Sequence, residues 1–271
     1  MRQAKLLAQR DPGQVHLLQF TDTHICSGPG QTFAGADTEK SLKQVIAHAR
    51  KMHWPPDAIL VTGDLVHDPS VTAYERLLAI LKTTECPVFC IPGNHDEPHL
   101  MRRILETGNI SMAKSILFAR WIICLLDTFV PGTHAGGLDK TELEFLDQCL
   151  TAYRDKHALI CLHHPPMVVG SPWLDKMGLQ NPAELFSITD RHPQSRGVIC
   201  GHVHQEFSGK RGTLQLFATP STCVQFTPGS VSYGQDDKPP AYRHLLLHAG
   251  GEIETEVVNV PIRGRLQTQD K

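Results

Sequence analysis

Five short runs rich in Val, Ile, Leu and Phe punctuate the chain: residues 15–20, 58–61, 88–91, 158–162 and 198–200. They do not alternate strictly with polar residues. A run of that length and pattern reads as a strand buried on both faces. Between the first three runs lie two stretches of helical spacing. Residues 38–53 carry Leu42, Val45, Ile46 and Ala49 on one face and stop before Pro55-Pro56; residues 70–82 carry Leu77, Leu78 and Leu81. The order β-α-β-α-β predicts a parallel sheet with right-handed crossovers. A short helix is expected after Glu97, one or two strands in 115–127, and an amphipathic helix in 138–153 bearing Leu143, Leu146 and Leu150. A long Pro/Gly loop through Gly178 and a helix near 182–190 precede the last buried run. Beyond residue 204, segments 214–218, 242–248 and 252–260 read as short strands separated by turn signals such as Gly250-Gly251, which predicts antiparallel strands completing a second sheet. With no internal repeat and no low-complexity linker, the expected organisation is a single mixed α/β domain at 15–260, with flexible ends at 1–14 and 261–271.

Each buried run is followed by the same kinds of residue. Asp22 and His24 follow the first, Asp64 the second, Asn94 and His95 the third, His163 the fourth, and His202 and His204 the fifth. In open α/β sheets ligands bind in the crevice beyond the carboxyl ends of the strands, so five dispersed segments converge on one place. Imidazole with carboxylate suits borderline transition metals. Asp22, His24, Asp64 and His204 make one set of four donors. Asp64, Asn94, His163 and His202 make a second, with Asp64 shared. Two metals about 3.5–4 Å apart can hold a hydroxide and clamp a phosphoryl group. His95 is surplus to both sets. It is expected either to protonate the leaving oxygen or to donate a hydrogen bond to the phosphoryl group, with Asp96 orienting its ring. Gly63, Gly93 and Gly201 precede ligands and are expected to permit close backbone approach.

The segments Asp22-Thr-His24, Gly63-Asp64, Gly93-Asn-His-Asp96, His163-His164 and Gly201-His-Val-His204 together resemble the calcineurin-like metallophosphoesterases, over about residues 15–260. Two further stretches, 170–175 and 218–226, are similar to those of the bacterial class III cyclic AMP phosphodiesterases. The resemblance implies a pair of mixed sheets flanked by helices, with a dinuclear metal site at the strand C-terminal ends. It implies two divalent metals, Fe²⁺ or Mn²⁺ first and Zn²⁺ or Co²⁺ as alternatives. Of the adjacent pair His163 and His164 it selects His163 as the ligand and leaves His164 a supporting role. It implies hydrolysis of 3′,5′-cyclic AMP to 5′-AMP by a hydroxide that the metals activate. The phosphoryl group is then expected against His24, Asp64, Asn94, His95, His163 and His204. The base is expected against loops 171–178 and 219–226, with Trp173 and Phe226 as apolar faces and Ser221, Thr222 and Gln225 as hydrogen-bonding groups. Other readings stay open: another small diester such as a glycerophosphodiester, a phosphomonoester, or a non-catalytic scaffold of this fold.

Composition narrows the partners. The chain has 271 residues, 41% hydrophobic and 20% charged, with a formal net charge of −2, so neither a nucleic-acid groove nor an anionic membrane partner is indicated. No apolar stretch approaches the roughly 20 residues of a spanning helix, and residues 1–14 lack the apolar core of a signal peptide. The expected partner is a small cyclic nucleotide, and a homodimer is compatible with the sequence. Of the eight cysteines, Cys90, Cys124, Cys161 and Cys200 sit inside apolar runs and none forms a Cys-x-x-Cys pair. Reduced, structural thiols are therefore expected, which points to the cytoplasm. Among sixteen histidines, His67, His99 and His134 are loop residues near the expected edge and are secondary candidates for touching substrate.

Overall fold

The computed structural model describes residues 2–6, 8 and 13–261. The first half follows the predicted order. Strands β2 (Gln14–Phe20), β3 (Ala58–Thr62), β4 (Val88–Ile91) and β5 (Ile110–Ser111) run parallel, joined by helices α1 (Thr38–Met52), α2 (Val71–Lys82) and α3 (Pro98–Leu105). The side chains of Asp37 and Ser70 cap α1 and α2 by accepting from Lys40 N and Ala73 N, which satisfies backbone donors that a helix start leaves without partners. The second half builds another sheet from β6 (Ser115–Leu117), β7 (Trp121–Leu125), β8 (His157–Cys161) and β9 (Ser195–Cys200), with β10 (Phe207–Arg211) and β11 (Leu214–Ala218) at its far side. Helices α4 (Lys140–Ala152) and α6 (Pro182–Arg191) cover it, and a short α5 (Pro172–Asp175) lies within the Pro/Gly loop. A two-stranded ribbon, β12 (Gln225–Phe226) with β13 (Gln235–Asp236), projects beside it.

Three apolar layers explain why the runs do not alternate. Leu18, Phe20, Ile59 and Val61 face α1 and α2, while Leu17, Ala58 and Leu60 face the other sheet, against Ile123, Leu125, Leu159, Cys161 and Ile199. Ile122, Ile160 and Val198 face α4 and α6. Each of these central strands is thus buried on both sides, and each fully buried Leu, Val or Ile contributes about 1.5–3 kcal/mol.

Two expectations change. The late strands do not stay together. β11 pairs parallel to β9 in the second sheet, whereas β14 (Ala241–His248) and β15 (Ile253–Asn259) return to the first and pair antiparallel beside β2. Leu245 and Leu247 alternate into the layer between the sheets, and that long-range burial chooses the partner. The N-terminal segment expected to be flexible contributes β1 (Gln3–Lys5), parallel to β6, with Ala4 and Leu6 packed on the same layer. The expected flexible tail lies, beyond Pro261, outside the described residues. No described helix is long and apolar enough to cross a membrane.

Candidate metal centre

The ligand candidates do meet at one edge, and the backbone bends sharply to bring them there. Asp22, His24, Asp64, His202 and His204 all have left-handed backbone conformations, with φ between 43° and 69°. Such angles are costly for residues with a Cβ and cluster at functional sites. The three glycines are required by close approach: a Cβ on Gly63 would overlap the His163 ring, one on Gly93 the Asp64 carboxylate, and one on Gly201 the Thr21 hydroxyl.

Asp64 sits between the two predicted sets and gives each one oxygen. Its Oδ2 is 3.7 Å from His24 Nε2 and its Oδ1 is 3.3 Å from His163 Nε2. Asp22, His24 and His204 form a tight trio, with His24 Nε2 3.2 Å from His204 Nε2 and the latter 3.3 Å from Asp22 Oδ1. Donors bound at about 2.0–2.1 Å to one tetrahedral cation stand roughly 3.3 Å apart, so these separations suit donors to a common cation.

The tautomers agree. Nδ1 of His204 donates to Val224 O at 2.7 Å and Nδ1 of His163 donates to Thr62 O at 2.9 Å. A carbonyl only accepts, so Nε2 is the nitrogen that both rings turn into the site. The backbone N–H of His202 and the Thr21 hydroxyl hold the Asp22 carboxylate. Asn94 Nδ2 donates to His134 Nδ1 at 3.2 Å, leaving its Oδ1 inward. Asn94 Oδ1, His163 Nε2 and both His202 ring nitrogens are buried without a hydrogen-bond partner. Imidazole nitrogens and an amide oxygen buried together without hydrogen bonds are what cations satisfy once the nitrogen facing them is free of its proton, and the set fits a pair of divalent metals. His164 lies beside His163 and His202 and is held by Thr128 Oγ1 at 2.7 Å.

Electrostatics follow from burial and proximity. Burial raises the carboxyl groups of Asp22 and Asp64, but the neighbouring imidazoles outweigh it and hold both below the usual carboxylate range. Burial pushes His24 well down and His202 down to about 3. For His163 burial acts in the same direction, yet the Asp64 carboxylate prevails and holds the ring protonated up to about 9. Metal and proton then compete for His163 Nε2. Below about 9 a proton must leave before a metal binds, so metal affinity is expected to rise with pH up to that point, with a proton released on loading at neutral pH. Calorimetric metal titrations in buffers of different ionisation enthalpy measure that proton; its absence would contradict the protonated His163.

The cavity above the candidate ligands has His24, Asp64, Asn94, His95, His202 and His204 on its floor and Phe33, Trp173, Met177, Phe226 and Tyr233 on its walls. His95 has its backbone N–H on Asp64 Oδ1 at 2.9 Å and its Nδ1 on His67 O at 2.9 Å. This corrects the role given to Asp96. That carboxylate does not touch the His95 ring; it accepts from Leu65 N, Gly93 N and Tyr74 Oη and ties the loops after β3 and β4 together. Burial and the nearby Asp64 charge raise it to about 7. A second correction concerns Gln225. Its amide is turned away from the cavity and bonded to Ser221 N, Ser221 O and Pro239 O. Ser221 likewise holds Asp22 O, and Thr222 is fully buried. Trp173 and Phe226 do line the cavity. His134, a secondary candidate, and Met177, within the expected 171–178 loop, line it too; Phe33 and Tyr233 line it without having been expected, and His99 is on α3, exposed.

The chain's residues 15–206 match the calcineurin-like phosphoesterase model. The chain belongs to that family. It is 37% identical over 246 residues to the 3′,5′-cyclic adenosine monophosphate phosphodiesterase CpdA of Pseudomonas aeruginosa, covering 91% of this chain and 90% of that protein. A 3′,5′-cyclic-nucleotide phosphodiesterase of Nostoc is 36% identical, covering 91% and 93%. Among solved structures, a dimetal phosphatase from Danio rerio superposes with a TM-score of 0.61 at 14% identity, covering 91% of this chain and 99% of that one, which shows the shared fold of two mixed sheets and flanking helices.

Proposed function

We propose that this chain is a metal-dependent phosphodiesterase that hydrolyses 3′,5′-cyclic AMP to 5′-AMP. The observation that carries the reading is Asp64, which offers one oxygen to each of two donor sets on the floor of an aromatic-walled cavity. The names of the relatives supply the substrate class. Bound by Asp22, His24, Asp64 and His204 and by Asp64, Asn94, His163 and His202, two divalent cations supply Lewis acidity that makes water a nucleophile and neutralises phosphoryl charge. Fe²⁺ and Mn²⁺ are the proposed occupants, since a mixed imidazole, carboxylate and amide-oxygen set accepts both. The chain's own residues do the rest. Thr21 and the His202 N–H fix Asp22; Val224 O and Thr62 O fix the tautomers of His204 and His163. His95, its Nδ1 proton held by His67 O, uses Nε2 to pass a proton to the departing 3′ oxygen. Nucleophile-type side chains near the site are otherwise engaged: Ser221 is bonded to Asp22 O, and burial pushes the Cys223 thiol up to about 12.

Base recognition falls to the walls. Trp173 packs edge-on to Phe226 and Tyr233, at 5.3 and 5.8 Å between ring centroids, and its Nε1 donor is buried with no partner. An apolar slot with one unused donor suits a purine carrying ring acceptors. Phe226 stacks on the ligand His204 at 4.0 Å, so changing it would disturb the metals. The test is therefore Trp173→Ala with Tyr233→Ala. This double variant is expected to lose at least about tenfold in kcat/KM on cyclic AMP, the worth of roughly 1.4 kcal/mol of aromatic contact. Its loss on bis(p-nitrophenyl) phosphate is expected to be smaller. Equal losses would show that these rings support the metal site and do not read the nucleotide.

A further inference from the structure

His24 differs from His204, the other imidazole of its donor set, in what stands behind it. Its Nε2 faces the site, 3.2 Å from His204 Nε2 and 3.7 Å from Asp64 Oδ2. Its Nδ1 is buried with no hydrogen-bond partner, whereas Val224 O holds Nδ1 of His204. Metal-binding imidazoles are ordinarily oriented by a hydrogen bond on the far nitrogen. The last torsion of a histidine side chain is broad, so without that bond nothing polar stops the ring from turning. What lies against the His24 ring instead is Phe33, at 4.5 Å between centroids and 31° between planes. Phe33 also meets His67 at 4.6 Å and, edge-on, His204 at 6.4 Å. The segment that carries Phe33 holds it still. The amide of Phe33 donates to Ala36 O at 3.0 Å and that of Ala36 to Phe33 O at 2.9 Å, closing a tight turn. Its central residues, Ala34 and Gly35, have φ of 48° and 79°, as a hairpin turn with two left-handed positions demands. Alanine is strained there, and such strain persists only where the surroundings fix the backbone. Gln235 of β13 donates its side-chain amide to Ala34 O at 3.2 Å, and Asp37, just after the turn, caps α1.

On the dinuclear reading above, we propose that Phe33 is a positioning residue for the metal ligand His24: its ring face fixes the imidazole plane in place of a hydrogen bond to Nδ1. His95 stands edge-on to the same imidazole at 4.9 Å, so two aromatic rings confine it. Phe33 is half-buried against the apolar layer that contains Phe226, which keeps its face in register with His24. The cation that Asp22, His24, Asp64 and His204 would hold therefore depends on Phe33. The cation that Asp64, Asn94, His163 and His202 would hold does not.

Equilibrium dialysis against a range of free Mn²⁺, with bound metal counted, tests this without turnover. The parent and Phe33→Tyr, which keeps the ring, are expected to fill two positions with the same two affinities. Phe33→Ala is expected to fill one position as the parent does and the other about 10- to 100-fold more weakly, the range for loss of a group that orients a ligand. Phe33→Leu keeps apolar bulk in the turn but has no flat face. It is expected to resemble Phe33→Ala, and it serves if the alanine variant does not fold. His24→Ala is expected to weaken the same step, and adding Phe33→Ala to it to change nothing more, since one residue acts only through the other. Parent affinities in Phe33→Ala or Phe33→Leu would overturn the proposal. So would equal weakening at both positions, or a further loss when Phe33→Ala is added to His24→Ala. A parent that never holds two ions would fail the dinuclear site itself, and the proposal with it. A parent that holds two ions but leaves cyclic AMP intact fails only the substrate reading.

Discussion

Asp64→Ala is expected to empty both metal positions and to lower turnover of any diester by at least about 10³-fold. The magnitude follows from the several kcal/mol of charge stabilisation that bound metals supply, at 1.36 kcal/mol per factor of ten. The reasoning is geometric. Asp64 turns one oxygen toward His24 and the other toward His163, so it serves both sets. Its loss also removes the acceptor for the His95 N–H. Elemental analysis and turnover, measured on the same folded preparation, check this. Full metal occupancy with near-parent activity in Asp64→Ala would refute the shared-carboxylate arrangement.

His95→Ala is expected to behave differently: it keeps both metals and loses about 10²- to 10⁴-fold in kcat, the range of general acid–base catalysis. The ring belongs to neither donor set, lines the cavity and is aimed by its Nδ1 bond to His67 O. Leaving-group chemistry separates this role from a structural one. The 3′ oxygen of ribose must be protonated as it departs, whereas p-nitrophenolate is stable as an anion. The loss should therefore be large on cyclic AMP and small on bis(p-nitrophenyl) phosphate. A uniform loss on both substrates, or a loss that tracks released metal, would make His95 a support for Asp64.

These expectations rest on features with unequal visibility in the sequence. Runs such as 58–61 were legible because Ile59 and Val61 face one layer and Ala58 and Leu60 another; burial on both faces leaves its mark on composition. The convergence of the candidate ligands was legible because each follows such a run, and topology then has little freedom in where the strand ends go. What depended on distant packing was not legible. Nothing local tells β14 and β15 to return to β2, since alternation is satisfied beside either sheet. Asp96 follows His95 in the chain, yet the Tyr74 hydroxyl and the Gly93 and Leu65 amides claim its carboxylate. Gln225 has the chemistry of a base reader, but its own loop uses both ends of the amide. Phe33 and Tyr233 lie on separate loops with no periodicity, and only the folded chain shows that they meet over the candidate ligands. The left-handed backbones at the ligands carry no residue signature either, because Asp and His at those positions are dictated by chemistry.

The most direct test is turnover of 3′,5′-cyclic AMP by protein loaded with Mn²⁺ or Fe²⁺, with the products separated and identified. The account predicts 5′-AMP as the product, dependence on added metal, and loss of the reaction in Asp64→Ala. Metal-loaded protein that hydrolyses bis(p-nitrophenyl) phosphate but leaves cyclic AMP intact would contradict it.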